Sequence, residues 1–417
     1  MLRQRGRVGL MAAALVGLVV GGAQAQVTTE RSASILVFPR VISDGTRDTI
    51  IQITNTSNSM VHAHCFYVNG ALTLPDFPPG PTNPPVWAET DFDIWLTKQQ
   101  PTHWVVSQGR LNDPTDAVCT NGSATTPPNF ACNGAGFDPS GSPGGPGVPP
   151  VASFFTGELK CIEIDMSGHP VSGNHLKGEA TTIIRNVCEV FTGTTGECTV
   201  TGEDCDTLDE EPCDDDNFDV AKYNALGIVG NENNDGDGIL CLGGEPSDEC
   251  PQGAEYDACP EFWIANHFAE DAPYPIDGIA EAVTVDTVWT VVPCTENFET
   301  QDIETVGINI LVFNEFESVF STNATLACWN EFDLGNEDEF GLVFDFDVLG
   351  SAFAQSRLRS QNQTRSGFLM VGSEEHETRD DWRSFADVNY FVEGARATAD
   401  IITIPAEQIS EGAGPTP

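Results

Sequence analysis

"DTIIQITNTS", Asp48 to Ser57, alternates apolar and polar side chains so that Ile51 and Ile53 share one face of an extended chain. The same period of two returns in "AVTVDTVWTVV" (282–292), where Val283, Val285, Trp289 and Val291 lie on one side. It is cleanest in "GLVFDFDVLG" (341–350), with Leu342, Phe344, Phe346 and Val348 opposite Asp345 and Asp347. A two-residue period is that of half-buried antiparallel strands, so a mainly β fold is predicted. "GELKCIEIDMSGHPVSGNHLKGEATTII" (157–184) reads as two strands joined by a turn rich in Gly, Ser and Pro. One short helix is expected, in "CPEFWIANHFAE" (259–270), with Pro260 at its first position.

The N-terminus carries Arg3, Arg5 and Arg7, an apolar run from Val8 to Val20, and small residues at Ala23 and Ala25. This is the pattern of a secretory signal peptide, residues 1–25, cut before Gln26. The run is too short to span a bilayer, and no later segment approaches the ~20 apolar residues needed. Membrane insertion is therefore not expected, and a secreted or cell-surface location is. No cysteine lies near the cleavage site and "ISEGAGPTP" at the C-terminus has no apolar tail, which points to release or non-covalent attachment.

The 417 residues carry 18 basic and 63 acidic side chains, a net charge of −45 that becomes −48 when the three signal-peptide arginines leave. Nucleic acid and anionic membranes are poor partners for such a surface. It suits a saline or calcium-rich medium. Lysine occurs only at positions 98, 160, 177 and 222, so few of these acids can be neutralised by pairing.

Two stretches, 74–86 and 134–150, hold too much Pro and Gly for a β ladder and read as long surface loops. From Glu197 to Cys259 there are 19 acidic residues, one basic residue and six cysteines, with little to bury. Such a segment needs staples or ions to hold a shape. The expected organisation is a β-sandwich portion at 26–194, an acidic Cys-rich insertion at 195–261, a second sandwich portion at 262–405 and a flexible tail at 406–417.

Inside the insertion, "NENNDGDGIL" (231–240) sets Asn233, Asp235 and Asp237 at alternate positions before Gly238, the arrangement of hard oxygens and a tight glycine turn that begins a calcium loop. An EF-hand is excluded because its twelfth position would be Gly244, with Glu245 one residue late. With "SDECP" (247–251) and "YDACP" (256–260), the segment 233–260 resembles the thrombospondin type 3 repeats, which join aspartate-rich calcium loops to Cys-Pro. That resemblance implies calcium as cofactor, with side-chain ligands Asn233, Asp235 and Asp237 and a backbone ligand at Ile239. The alternative is a solvated polar turn, since Asn, Asp and Gly also favour turns.

Thirteen cysteines agree with export. The spacings 119/132, 198/205/213 and 241/250/259 suit local disulfides, so Cys119, Cys132, Cys198, Cys205, Cys213, Cys241, Cys250 and Cys259 are the bridge candidates, and no C-x-x-C pair suggests a zinc ribbon. In "VHAHCFY" (61–67) His62 and His64 share a strand face while Cys65 points to the other, which spoils a three-ligand metal set.

The stretch "SILVFPRVISDGTRDTIIQITNTSNSMVHAHCFYVNG" (34–70) resembles the opening of immunoglobulin-like β-sandwich modules of bacterial exported proteins. The likeness implies a fold and no role. Neither G-x-S-x-G nor H-E-x-x-H occurs, although two carboxylates would suffice for a glycosidase. The expected function is that of an exported, calcium-stabilised, non-catalytic structural or binding protein, with a glycan or another surface protein as partner. The alternatives are a carbohydrate-binding module and a secreted hydrolase. For a glycan, "DFDIWLTKQQPTHW" (91–104) offers Trp95 and Trp104 as stacking platforms, against the alternative that both pack under the Pro-rich loops.

Overall fold

A computed structural model describes residues 27–73, 85–110, 148–185, 218–272, 284–302, 305–361, 366–377, 383–392 and 394–405. The predicted signal peptide (1–25), the predicted tail (406–417), most of both Pro-rich stretches, and Cys119, Cys132, Cys198, Cys205 and Cys213 lie outside these residues. Among the described residues no helix is long and apolar enough to cross a membrane.

The fold is mainly β, as the alternation predicts, with twenty-one strands in five sheets among the described residues. The first sheet has the order β4 (Ala88–Leu96), β3 (Val61–Asn69), β6 (Phe155–Ile164), β1 (Ile35–Ser43) and β9 (Leu226–Ile228). In the second the order is β5 (Pro101–Val105), β2 (Arg47–Asn55), β7 (Leu176–Arg185) and β8 (Phe218–Asn224). The third runs β15 (Val319–Ala327), β14 (Thr305–Asn314), β17 (Phe353–Ser360), β11 (Phe262–Phe268) and β20 (Phe391–Val392). Four strands make the fourth: β16 (Asn330–Asp333), β12 (Thr284–Pro293), β18 (Phe368–Glu377) and β19 (Arg383–Asn389). A small fifth sheet joins β10 (Ile239–Leu242), β21 (Asp400–Thr403) and β13 (Glu296–Asn297), the last pair parallel.

The sheets succeed one another in a propeller-like ring. β1 packs on β2 and β7, β8 meets β19, and β12 lies against β11 and β15. Phe298, just after β13, stacks on Phe66 of the first sheet at 4.0 Å between ring centres. Within a sheet, however, the strands are not the consecutive meander of a propeller blade, since β6 enters between β3 and β1 and β9 closes the edge.

The first sheet is covered on both faces. Every residue of β1 and β3 is buried, which explains why "ILVFPRVIS" reads as a continuous apolar run and not as an alternation. A register shift between Phe38 and Val41 takes Pro39 and Arg40 out of the β6 ladder. The bulge sends the Arg40 guanidinium to Asp387 on β19, with Nη1 3.0 Å from Oδ1, both side chains out of water. Thr182 donates to the other Asp387 oxygen at 3.1 Å. Tyr223 completes the junction: its hydroxyl donates to the Arg40 carbonyl and accepts from the Arg40 N–H.

Several sequence expectations are corrected. "GLVFDFDVLG" is no strand: α1 (Glu337–Phe340) precedes it and α2 (Phe346–Leu349) forms its second half. Asp345 caps α2 by accepting from the Asp347 N–H at 2.7 Å, and Gly350 ends it in the left-handed region. The aspartates compete for backbone N–H groups, and local capping wins over a short alternation. "CPEFWIANHFAE" is no helix but β11, paired on both sides, with Trp263, Ala265 and His267 fully buried. The two strands expected in 157–184 are present as β6 and β7, and they lie in different sheets. The described part of the 195–261 insertion is woven into the ring, since it supplies β8, β9 and β10. Three disulfides occur among the described residues: Cys65–Cys161, Cys241–Cys250 and Cys259–Cys294. Cys259 thus pairs outside the acidic segment, and Cys328 is a buried thiol.

Removing one partner of a buried ion pair strands the other. Asp387→Ala is expected to cost about 3–5 kcal/mol in urea unfolding, with most of it recovered in Arg40→Met combined with Asp387→Leu. A single-variant cost below about 1 kcal/mol, the level of an exposed pair, would show that the junction does not hold the sheets together.

Candidate functional site

The loop 231–238 connects β9 to β10, and Gly236 and Gly238 take φ of 73° and 90° there, a region that favours glycine. Its side-chain oxygens turn inward on the backbone. Asn234 Oδ1 accepts from the Gly236 N–H, Asp235 Oδ1 from Asp237 and Asp237 Oδ1 from Ile239, at 2.9, 3.2 and 2.8 Å. Asn233 donates weakly to the Ala254 carbonyl at 3.4 Å. The carboxylates of Asp235 and Asp237 are exposed, and no three acidic, His or Cys ligand atoms of this loop come within 4.8 Å of one another among the described residues.

Behind the loop stands Glu255, which sequence reasoning missed. It is buried, and its two oxygens accept from the N–H groups of Asp235 and Cys241, both at 3.0 Å. Burial pushes its carboxyl up, and Asp235 and Asp237 add repulsion. The Cys241–Cys250 bridge staples the base of the turn. One glutamate among nineteen acids has no mark in the sequence; only the fold reveals that it organises the loop.

A second acidic site lies in the C-terminal half. Glu270, Asp271, Asp286, Asp333, Glu337 and Asp345 line a pocket of about 210 Å³. Glu270 is 5% exposed and accepts from the Thr287 N–H at 3.1 Å. Burial, reinforced by Asp286, Asp333 and Asp271, pushes its carboxyl up to about 9. The six acids are scattered over 75 residues of sequence and share no spacing, so nothing in the chain announced them.

On the first sheet His62 and His64 converge on one carboxylate. Asp93 Oδ1 lies 3.1 Å from His62 Nε2 and 2.7 Å from His64 Nδ1. Burial alone would raise the Asp93 carboxyl, but the two histidines outweigh it and hold it well below the usual carboxylate range. The His62 ring stacks on Trp95 at 3.5 Å and occupies one face of the indole. Cys65 points to the other face of the sheet, as its parity requires, and is bridged to Cys161. Trp104 is buried at 1% exposure and donates to the Tyr67 hydroxyl at 2.6 Å, so it is a core residue and no platform. A groove of about 400 Å³ on the second sheet, lined by Gln52, Thr54, His103, Lys177 and Glu179 among others, carries no Trp, Tyr or Phe among the described residues.

The remaining cluster of ligand types, Cys259, Cys294 and Asp400, is no metal centre because its two sulfurs are bonded to each other. Asp400 instead accepts from the Thr295 hydroxyl and the Gly367 N–H, each at 2.8 Å.

No family model and no curated protein matches this chain. Among solved structures, the chain is 7% identical to one from naturally occurring empty particles of Cowpea mosaic virus, covering 94% of this chain and all of that one, at a TM-score of 0.14. It is 10% identical to a chain of Broad Bean Stain Virus over 93% of its length and all of that chain, also at 0.14. Likenesses of that size carry no argument about fold or role.

Glu270 makes stability depend on pH with a defined sign. Its folded value of about 9 exceeds its ordinary 4.5, so the native state holds a proton that the unfolded chain releases, and stability falls as pH rises through that window. In chelator, Glu270→Gln is expected to melt close to wild type at about pH 5 and above it at about pH 9. A gap that does not widen with pH would show that Glu270 ionises normally.

Proposed function

We propose that the chain is an exported, non-catalytic structural or binding protein of the cell surface or extracellular medium, stabilised by disulfides and calcium. The observation that carries this reading is the set of disulfides. Bridges that tie β3 to β6, clamp the acidic turn and join Cys259 to Cys294 belong to an oxidising compartment. The signal-peptide pattern at 1–25 and a surface dominated by 63 acids support the same location. On this reading the processed chain begins at Gln26.

Within the ring, the first and second sheets form one sandwich and the third and fourth another, each akin to the immunoglobulin-like modules. The support is that β1 lies across β2 and β7, and β12 across β11 and β15. Rigid sheets of this kind display loops, where recognition of a glycan or another surface protein would sit. Calcium is the ion assigned to the loop of Asn233, Asp235, Asp237 and the Ile239 carbonyl. Hard oxygens beside a glycine turn are the chemistry a calcium ion takes.

Expression in a secreting host tests location and class together. Protein in the medium or on the cell surface, starting at Gln26, with linked peptides 65–161, 241–250 and 259–294 and no turnover in polysaccharide, esterase or protease assays, is the expected result. Retention in the cytoplasm with reduced cysteines, or turnover abolished by one acidic or serine substitution, would overturn it.

The ion is tested separately by melting wild type, Asp235→Ala and Glu270→Gln in calcium and in chelator. Binding to the folded form alone adds RT ln(1 + [L]/Kd), about 2.7 kcal/mol at a hundredfold excess over Kd. Wild type is expected to gain and Asp235→Ala to lose that gain. A gain lost only in Glu270→Gln moves the ion to the acidic pocket, and no gain in any sample removes calcium from the reading.

A further inference from the structure

One lysine of the four is enclosed in the protein. Lys160 on β6 is fully buried, and so is Glu158, two residues earlier on the same strand face. Glu296 of β13 closes over them and is 6% exposed. Lys160 Nζ donates to Glu158 Oε1 at 2.7 Å and directly to Glu296 Oε2. The second Glu158 oxygen is buried and has no hydrogen-bond partner. The Phe298 ring, 6.0 Å from Nζ, forms an apolar wall.

Each member is held by the backbone. Glu158 and Lys160 sit in the middle of a strand paired on both sides, to β1 and β3. Glu296 pairs with Ile402 on β21, two residues after the Cys294 bridge and two before Phe298, which is stacked on Phe66. The amine therefore cannot swing away from the carboxylate. As ions the three groups place two negative charges and one positive charge in a site closed to water, where unpaired charge is expensive. Glu89 nearby, pushed up to about 8 by burial and by Glu296, shows how poorly the site tolerates another anion.

We propose that Lys160 and Glu296 are joined by an intramolecular amide bond between Nζ and Cδ, with Glu158 as the proton carrier. The reaction is a condensation and needs no oxidant or cofactor. Burial and the Glu296 charge push the Glu158 carboxyl up, so it begins protonated. The ammonium gives one proton to the Glu296 carboxylate, which leaves a neutral amine and a neutral acid. The Nζ electron pair attacks Cδ of Glu296 and the C–N bond forms. One Glu296 oxygen then departs with its C–O electron pair and two protons, as water. Glu158 gives its proton to that oxygen, takes a second proton from Nζ in exchange, and ends protonated, as it began. The product removes one positive and one negative charge from the interior, and enclosure keeps water from reversing the step. It also fastens the first sheet covalently to the fifth.

The test is peptide mapping of the full purified chain after reduction and denaturation. The expected result is a branched peptide linking the segments around 160 and 296, lighter than their sum by one water, with no lysine-specific cleavage after Lys160. In Glu158→Gln both segments are expected as separate peptides of full mass, and in Lys160→Arg likewise. Wild-type protein that is cleaved normally after Lys160 and yields two unlinked peptides overturns the proposal without reference to any variant. A branched peptide that persists in Glu158→Gln overturns the role of Glu158.

Discussion

The Arg40–Asp387 pair is the joint on which the arrangement of the sheets turns. It is made possible by a bulge: only because Pro39 and Arg40 leave the ladder can the guanidinium pass out of a strand that is buried on both sides. Burial pushes the Asp387 carboxyl up in spite of the arginine beside it. The pair therefore contributes little net energy over an apolar contact and much geometric definition. Around it gather Thr182 of the second sheet, Tyr223 of β8 and Glu331 of β16, 3.7 Å from Arg40 Nε. Trp329 reinforces the same junction by donating to the Pro39 carbonyl at 2.8 Å. Residues separated by more than three hundred positions thus fix how the N-terminal and C-terminal sheets meet.

A chain with 63 carboxylates and 18 basic residues must place most of its acids without a partner of opposite charge. Here they find backbone N–H groups. Asp44, Asp165, Asp235, Asp237, Asp333 and Asp345 each accept from an amide two or three residues on. This is the Asx-turn chemistry that makes aspartate a turn and cap residue. The same chemistry explains why the calcium-like loop and the solvated turn could not be told apart by sequence. Both need alternating oxygens and a glycine, and both are served by the same residues.

How much of the fold was legible follows from which force governed each segment. Where burial on one face dominated, as at Ile51 and Ile53 or at Val285, Trp289 and Val291, the alternation gave strands that the structure contains. Where local hydrogen bonding competed, as at Asp345, it gave a strand in place of a helical turn. In β11 the outward residues Phe262, Ile264 and Phe268 are also apolar, so the period was hidden and Pro260 suggested a helix. Sheet membership was beyond reach altogether, because nothing near Leu226 or Cys259 indicates that one will pair with Ile35 to Val37 or the other with Cys294. Glu255, Glu270 and the Lys160 cluster share that invisibility: their significance lies in enclosure, which is a property of the fold.

The strand order of the first sheet also sets a timetable. β1 ends at Ser43, yet its two neighbours are β6, beginning at Phe155, and β9, ending at Ile228. The oldest strand of a chain made from its N-terminus must wait, half-paired, for more than half of the sequence to arrive. Contacts of such sequence separation slow folding and leave strand edges open meanwhile. The first sheet therefore closes only once residues as far as Ile228 have been made, and its edges stay open until then.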